Sequence, residues 1–353
     1  MARKLFVAIM AGGPGERFWP KSTPDLPKQF LALVDEETLL QKAYNRAVKV
    51  TDPDRVLVVT LAKYGRLVRA QLPGLPENNI VLEPFGRDTS AAVALAAAAI
   101  GRLDPDALML MKPADHIVSD TAGFVRATEA AVKAAEDGHL VTYGIIPTRP
   151  ETGYGYIELA GGATIDTIDA KRGHALALRF VEKPSSDVAE RFVAGRRHLW
   201  NSGMFLWSLS SLREAVDKHS PALSAGLGEL SRLPDLRDGE AVAPTYSKLP
   251  KRSIDFEIME KVGHLAVVPA AFDWDDVGSW AALRRHGPKT DGGNVSLGPV
   301  TVMETEGSVV LSDGPEVIVL GLNEAAVVAA NGKVLVASVQ QLGKLKEALA
   351  RKR

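Results

Sequence analysis

The sequence predicts an α/β protein with a doubly wound, Rossmann-like and mostly parallel sheet, followed by a small all-β module. Three observations carry that expectation. Up to about residue 145, short apolar or β-branched runs alternate with longer stretches of helical periodicity. From Thr152 to about Leu283 the alternation becomes irregular, with polar loops between strand and helix candidates. After Gly287-Pro288 and Gly292-Gly293 the chain changes to short alternating runs spaced by roughly eight to ten residues, the pattern of an all-β unit.

In chain order, Leu5 to Met10, Arg55 to Val59, Ile80 to Leu82, Ala107 to Met111 and Leu140 to Gly144 read as strands. Each is short, nearly continuous in apolar residues and bounded by breakers. They are expected to be parallel and covered on both faces. Leu39, Leu40, Ala43, Ala47 and Val50 recur at helical spacing, as do Ala92, Leu95, Ala96, Ala99 and Leu103, and both sets read as core faces. Tyr156 to Leu159, Leu176 to Val181 and Met204 to Ser208 are strand candidates in an insertion of the kind that builds the substrate side of a cleft. The composition shift places a boundary between residues 1–290 and 291–353. The tail carries runs Val300 to Met303, Ser308 to Leu311, Val317 to Leu320, Ala325 to Ala329 and Val334 to Ala337. A closing helix, Val339 to Leu349, shows Leu342, Leu345 and Leu349 on one face.

Composition excludes several classes. The 42 basic and 43 acidic residues nearly cancel, and the only like-charged run is the short Arg351-Lys352-Arg353 end, so neither nucleic acid nor a membrane surface is an expected partner. Lys4 to Met10 is too short to span a membrane and runs straight into a glycine loop, so it reads as a buried strand of a cytoplasmic protein. With no cysteine, thiolate metal sites, disulfides and cysteine nucleophiles are absent, and a metal must be held by oxygen or histidine.

The strongest local signal is Ala11-Gly12-Gly13-Pro14-Gly15-Glu16-Arg17-Phe18-Trp19-Pro20, directly after the first strand. Glycines there let backbone N–H groups approach phosphates. A dinucleotide fingerprint needs a glycine where Phe18 stands, and a Walker A loop needs Gly-Lys-Ser/Thr where this loop has Gly-Glu-Arg. A tight surface turn is the plain alternative. Arg17 and the Pro27-Lys28-Gln29-Phe30 segment add fixed cations downstream, as triphosphate chemistry requires. Lys112-Pro113-Ala114-Asp115-His116 puts an acid and an imidazole at the carboxyl end of the fourth strand, where ligands of open sheets gather; a turn or helix cap is the competing reading for Asp115. The acids of Phe272-Asp273-Trp274-Asp275-Asp276-Val277-Gly278-Ser279-Trp280 would repel one another without a cation, or lie dispersed on a surface loop.

With these residues in view, the chain resembles the sugar-phosphate nucleotidylyltransferases. Ala11 to Leu31 is similar to their A-G-G-x-G-x-R-x-x-P loop followed by P-K, and Trp19-Pro20 with Pro27 to Leu31 resembles the mannose-1-phosphate guanylyltransferase branch. Asp276 matches the metal-binding aspartate of W-x-D-V-G-S-W and Asp115 its partner, so the resemblance implies Mg²⁺ held by Asp115 and Asp276, with Asp273 and Asp275 solvated or capping. His116 is expected in a hydrogen-bonding or structural role. For the nucleotide it implies Ala11, Gly12, Gly13, Gly15, Arg17 and Lys28 at the phosphates.

Glu83-Pro84-Phe85-Gly86-Arg87-Asp88-Thr89 is similar to the branch's E-P-x-x-R-N-T, which adds Glu83, Arg87 and Thr89. A carboxylate suits the adjacent N1–H and 2-amino donors of guanine; the alternatives are that Glu83 caps the helix near Thr89 or pairs with Arg87. The branch carries Asn where Asp88 stands, and Ser and Thr where Pro14 and Glu16 stand. For the sugar phosphate, Tyr154 and Gly155 match T-G-Y-G-Y-I, Glu182 and Lys183 match F-x-E-K-P, and Asn201, Ser202 and Gly203 match N-S-G-M-F.

The implied reaction joins GTP and mannose 1-phosphate into GDP-mannose and pyrophosphate, with Arg17, Lys28, Asp115 and Asp276 catalytic. The implied tail is a left-handed β-helix that joins a homodimer. Rival readings are a sister enzyme using glucose 1-phosphate with UTP or dTTP, a silent regulatory relative, and a bifunctional enzyme that also isomerises mannose 6-phosphate, for which the chain ends too soon.

Overall fold

The computed structural model describes residues 3–13, 15–168 and 173–351. Pro14, Lys352 and Arg353 lie outside the described residues. The chain divides into two compact units, one comprising residues 1–12, 43–114 and 118–274, the other residues 13–42, 115–117 and 275–353. Composition marks a change near residue 290, whereas the compact units divide where the chain leaves the strand ends at Gly12, Ala114 and Trp274.

The larger unit holds a nine-stranded sheet. Its strands are β1 (Leu5–Met10), β2 (Val56–Leu61), β3 (Ile80–Glu83), β4 (Leu108–Pro113), β5 (Leu140–Ile145), β6 (Gly155–Leu159), β7 (Ala175–Glu182), β8 (His198–Ser208) and β9 (Leu265–Ala270). The spatial order is β3-β2-β1-β4-β8-β5-β9-β7-β6, with a further β8–β6 pairing. The first four strands are parallel, as their continuous apolar runs predict. β5 keeps the direction of the first four, as expected, because β8 runs antiparallel to both β4 and β5 and lies between them. The Met204–Ser208 end of β8 reads as a short strand in sequence, but the strand starts as far back as His198 and passes through Asn201-Ser202-Gly203. The irregular insertion thus extends the sheet itself, and its strand β9, parallel to β5, has no counterpart among the sequence-read strands.

Helices α1 (Leu39–Ala47), α2 (Asp88–Leu103) and α3 (Thr121–Glu136) follow strands of this sheet. In α2 the alanines allow close packing, and Ala92, Leu95 and Ala96 are buried, but Leu103 is 59% exposed and is not part of the core face expected of it. Asp120 caps α3 by accepting from Gly123 N. Helix α4 (Gly239–Lys248) is capped by Asp238 and carries buried Tyr246.

The smaller unit is built on strands β10 (Val295–Leu297), β11 (Val300–Met303), β12 (Val309–Ser312), β13 (Val317–Leu320), β14 (Ala325–Ala330) and β15 (Lys333–Ser338). The pairings β10–β12–β14 and β11–β13 are parallel, the stacking of a β-helix, and only β15 closes antiparallel on β14. The helix expected over Val339–Leu349 is a 3-10 segment to Lys344 followed by α5 (Leu345–Ala350). Its core joins Phe18, Leu31, Leu33 and Ile117 from the early segments to Trp280, Val309, Leu311, Val328, Leu342 and Leu345. The glycine loop is therefore packed on the β module.

Candidate active site

Five of the sequence-predicted site residues line one cavity of about 340 Å³ in the smaller unit: Gly15, Arg17, Lys28, Asp115 and Asp276, together with Phe18, His116, Gly278 and Lys346. Lys28 organises it. Its Nζ lies 2.8 Å from Asp115 Oδ2 and donates to the carbonyls of Asp276 at 2.8 Å and Val277 at 3.1 Å. At 7% exposure it is a buried ammonium, which those three acceptors satisfy. Gly15 is obligatory beside it: φ is +61°, and a Cβ would come 2.5 Å from Lys28 N. Gln29 Nε2 ties the loop by donating to Gly13 O at 3.0 Å. Arg17 stands exposed on the cavity wall.

Burial works to raise the Asp115 carboxyl, but the Lys28 ammonium, and His116 beside it, hold it below the usual aspartate range. The acid loop opposes its own neighbour differently. Asp275, expected to be solvated or capping, is 1% exposed; it does cap, accepting from Val277 N at 2.8 Å. Burial disfavours its charge, yet His286 and Arg285 hold the carboxyl well below the ordinary range. Repulsion among the acids is thus relieved by the Arg285 guanidinium at Asp275, while Asp273 Oδ1 accepts from Ser119 N and Asp120 N. Asp276 keeps its carboxylate at the cavity, where Oδ1 accepts from Gly278 N. Val277 between them has φ +46°, a strained conformation for a β-branched residue, which turns its carbonyl to Lys28.

A divalent metal fits this donor set in one form. Among the described residues no group of three or more His, Asp or Glu could cage an ion, but two carboxylates on a cavity with room for phosphate oxygens and water is how Mg²⁺ is held together with its substrate.

In the larger unit, Glu83 ends β3 at 4% exposure and accepts from Tyr246 Oη at 2.5 Å. Burial raises its carboxyl, and the Tyr246 hydrogen bond acts in the opposite sense. Arg87 donates to Leu249 O and does not pair with Glu83. Thr89 Oγ1 accepts from Ile254 N at 2.8 Å, which ties the start of α2 to the Ile254 segment through one lone pair of the hydroxyl. Ala11 is buried and its N–H is committed to Val59 O at 2.7 Å, so it extends the strand and has no N–H for a phosphate. Gly12 faces Glu83: a Cβ there would lie 2.8 Å from Oε1.

The sugar-side candidates gather at the ends of β6, β7 and β8. A Cβ on Gly155 would come 2.7 Å from Glu182 Oε2, so the glycine leaves room for that carboxylate. Glu182 and Lys183 pair at 2.9 Å and are both exposed. Asn201 Nδ2 donates to Asp255 Oδ1 at 2.8 Å, and its Oδ1 accepts from Gly203 N. Ser202 turns inward, 1% exposed, with its hydroxyl on Tyr143 O. Tyr154 is 8% exposed and meets Trp200 and Trp274 edge-on, so most of its ring packs among aromatics.

Three residues were not singled out in the sequence. Asp255 is half-buried, its carboxyl raised by the desolvation it suffers there and by Glu182; an acid inside Ile254-Asp255-Phe256-Glu257-Ile258-Met259 is the signal that marks it. Tyr246 and Lys346 carry no local signal, because each is brought to its place by a helix distant in sequence.

This chain matches the Nucleotidyl transferase family over residues 7–291. It belongs to that family. Sugar phosphate and nucleoside triphosphate substrates go with it. The chain is 38% identical over 358 residues to a mannose-1-phosphate guanylyltransferase of Sinorhizobium fredii, covering 99% of this nucleotidyl transferase and 69% of that protein. It is 37% identical to alginate biosynthesis protein AlgA of Pseudomonas putida, covering 97% and 70%. A solved structure from Thermus thermophilus, named mannose-1-phosphate geranyltransferase, shares 34% identity with a TM-score of 0.88 and 99% coverage of both chains. No helix among the described residues of this nucleotidyl transferase is long and apolar enough to cross a membrane.

Proposed function

We propose that the chain transfers GMP from GTP to α-D-mannose 1-phosphate, giving GDP-mannose and pyrophosphate. The observation that carries the reaction class is the cavity that combines Arg17 and Lys28 with Asp115 and Asp276; the names of the relatives support the choice of substrates. A phosphate oxygen of the sugar phosphate attacks the α-phosphorus of the triphosphate. The bond from that phosphorus to the bridging oxygen breaks, and pyrophosphate leaves with the electron pair. Arg17 stabilises charge on the triphosphate and the departing pyrophosphate, and Lys28, fixed by Asp115 and two carbonyls, does so from a prepaid orientation. Mg²⁺ held by Asp115 and Asp276 would supply charge screening between the two phosphate groups. Glu83 accepts from the guanine N1–H and 2-amino group, and Glu182, Lys183 and Asn201 hold the sugar phosphate.

The same reading includes a cytoplasmic enzyme, where both substrates occur, and a homodimer. Support for the latter is the apolar outer face of the tail, where Met303, Ile318 and Leu320 are 57%, 69% and 60% exposed. Pyrophosphate release, measured with each of four nucleoside triphosphates and several sugar 1-phosphates, tests the assignment. Preference for glucose 1-phosphate with UTP or dTTP would overturn it.

A further inference from the structure

Glu83 is held from two directions. One carboxylate oxygen, Oε2, accepts from Tyr246 Oη at 2.5 Å, and the other, Oε1, points at Gly12, where a Cβ would come within 2.8 Å. Tyr246 is fully buried on α4, more than 160 residues along the chain from Glu83, and its ring meets Phe85 edge-on at 5.6 Å. Phe85 itself is 39% exposed. Absence of a side chain at Gly12 makes room for Oε1, while Tyr246 takes a lone pair of Oε2 and with it the freedom of the carboxylate to rotate.

We infer that Tyr246 is a positioning residue for base selection, its hydroxyl fixing the Glu83 carboxylate so that Oε1 is presented to the donor edge of a purine. This rests on the reading that Glu83 accepts from guanine. A rotatable carboxylate would meet that donor pair in only some of its orientations, whereas a clamped one meets it without an ordering cost. The clamp also defends the charge. Burial favours the protonated acid, which would present a hydroxyl where guanine presents an N–H, and the Tyr246 hydrogen bond favours the carboxylate. Arg87 is the other charged group that acts on the pair, and its guanidinium is anchored on Leu249 O.

The experiment is a double-mutant cycle of Tyr246→Phe and Glu83→Gln, reading kcat and KM with GTP and with dTTP in the full-length enzyme. Tyr246→Phe keeps the ring against Phe85 and removes only the hydroxyl. It is expected to raise KM for GTP about tenfold, the scale of one hydrogen bond to a charged group, with kcat nearly unchanged and dTTP unaffected. Its acid limb in kcat/KM for GTP should move to higher pH, since the carboxyl loses the bond that opposes its protonation. In the Glu83→Gln background the hydroxyl should no longer alter the GTP to dTTP ratio.

Equal loss on both nucleotides, an unmoved acid limb, or a Tyr246→Phe loss that adds in full to Glu83→Gln overturns the positioning role. An unchanged GTP to dTTP ratio in Glu83→Gln alone overturns the base reading beneath it, whatever Tyr246→Phe does.

Discussion

Lys28 Nζ and Asp115 Oδ2 lie 2.8 Å apart, so the cation and the acid assigned to the two halves of the chemistry are each other's partner before any ligand binds. Neither is idle charge in an apolar place, and removing one alters the other. For Asp115→Asn and Asp276→Asn we expect turnover to fall about a hundredfold or more, the scale of a preorganised charge lost from a transition state. Folding should survive, because both carboxylates stand at the cavity. Activity within a few-fold of the parent at saturating Mg²⁺ removes that residue from the metal site.

Lys28→Met separates the charge of this ammonium from its packing. It leaves two backbone carbonyls and the Asp115 carboxylate without a donor, so we expect both activity and melting temperature to fall, the latter by about 2 to 5 °C. The pH dependence has a definite sign. Asp115 titrates below its unfolded value of about 3.9, so the pair's contribution is complete above that pH and is lost as pH falls through the folded value. The stability deficit of Lys28→Met should therefore be full near neutral pH and shrink as pH falls through that range, and a deficit that stays constant would refute the pair's part in stability.

Lys112 makes a prediction in the opposite direction. It is 1% exposed, donates to Ala43 O at 3.1 Å and stands 5.1 Å over the Phe124 ring. Burial, and the charge of Arg46, push its amine well below the lysine range. Its unfolded value is about 10.4, so the unfolded chain binds more protons over the window below it, and stability rises as pH climbs through that window. Lys112→Met keeps the volume and deletes the titration. We expect it to melt about 2 °C or more higher at pH 7, with the gain shrinking toward pH 10. Calorimetry across that range decides it; a constant difference would mean that the side chain is not paying a charge penalty.

How far the sequence reaches can be judged at particular residues. The strands around β1 and the loop after it are legible because apolar runs and glycines are local signals. So is Asp115, just beyond the end of β4, whereas Asp276 lies in a loop after β9 and is legible through its motif. Asn201 illustrates the limit: its segment reads as a turn that could meet sugar hydroxyls, but in the fold it lies within an eleven-residue strand and shares a hydrogen bond with Asp255. Ser202 and Thr89 look equally polar in sequence, and both hydroxyls serve the backbone of remote segments. Which polar group faces a ligand depends on a partner far along the chain, and no local spacing carries that information.

The tail, which the resemblance implies to be a β-helix that joins a homodimer, also bears on the chemistry. Its contacts argue for more. Asn331 Nδ2 donates to Pro20 O at 2.9 Å, and Lys21 pairs with Asp313 at 2.9 Å. Phe18 and Trp280, tilted against each other with ring centroids 4.9 Å apart, share a core with the tail's Val309, Val328 and Leu342. Helix α5 then brings Lys346 to the wall of the same cavity as Arg17 and Lys28. Truncation after Gly293 would strip this support, so we expect turnover to be lost, by about a hundredfold or more if the loop is left unordered. Ile318→Asp with Leu320→Asp changes only exposed side chains and should halve the mass in solution if that face joins two copies, with turnover kept. Lys346→Met should raise KM for the triphosphate by a few-fold, about 1 kcal/mol for one partly screened charge. A truncated chain that retains near-parental turnover would refute the supporting role of the tail, and the surface double variant, read by sedimentation, keeps that outcome separate from the question of assembly.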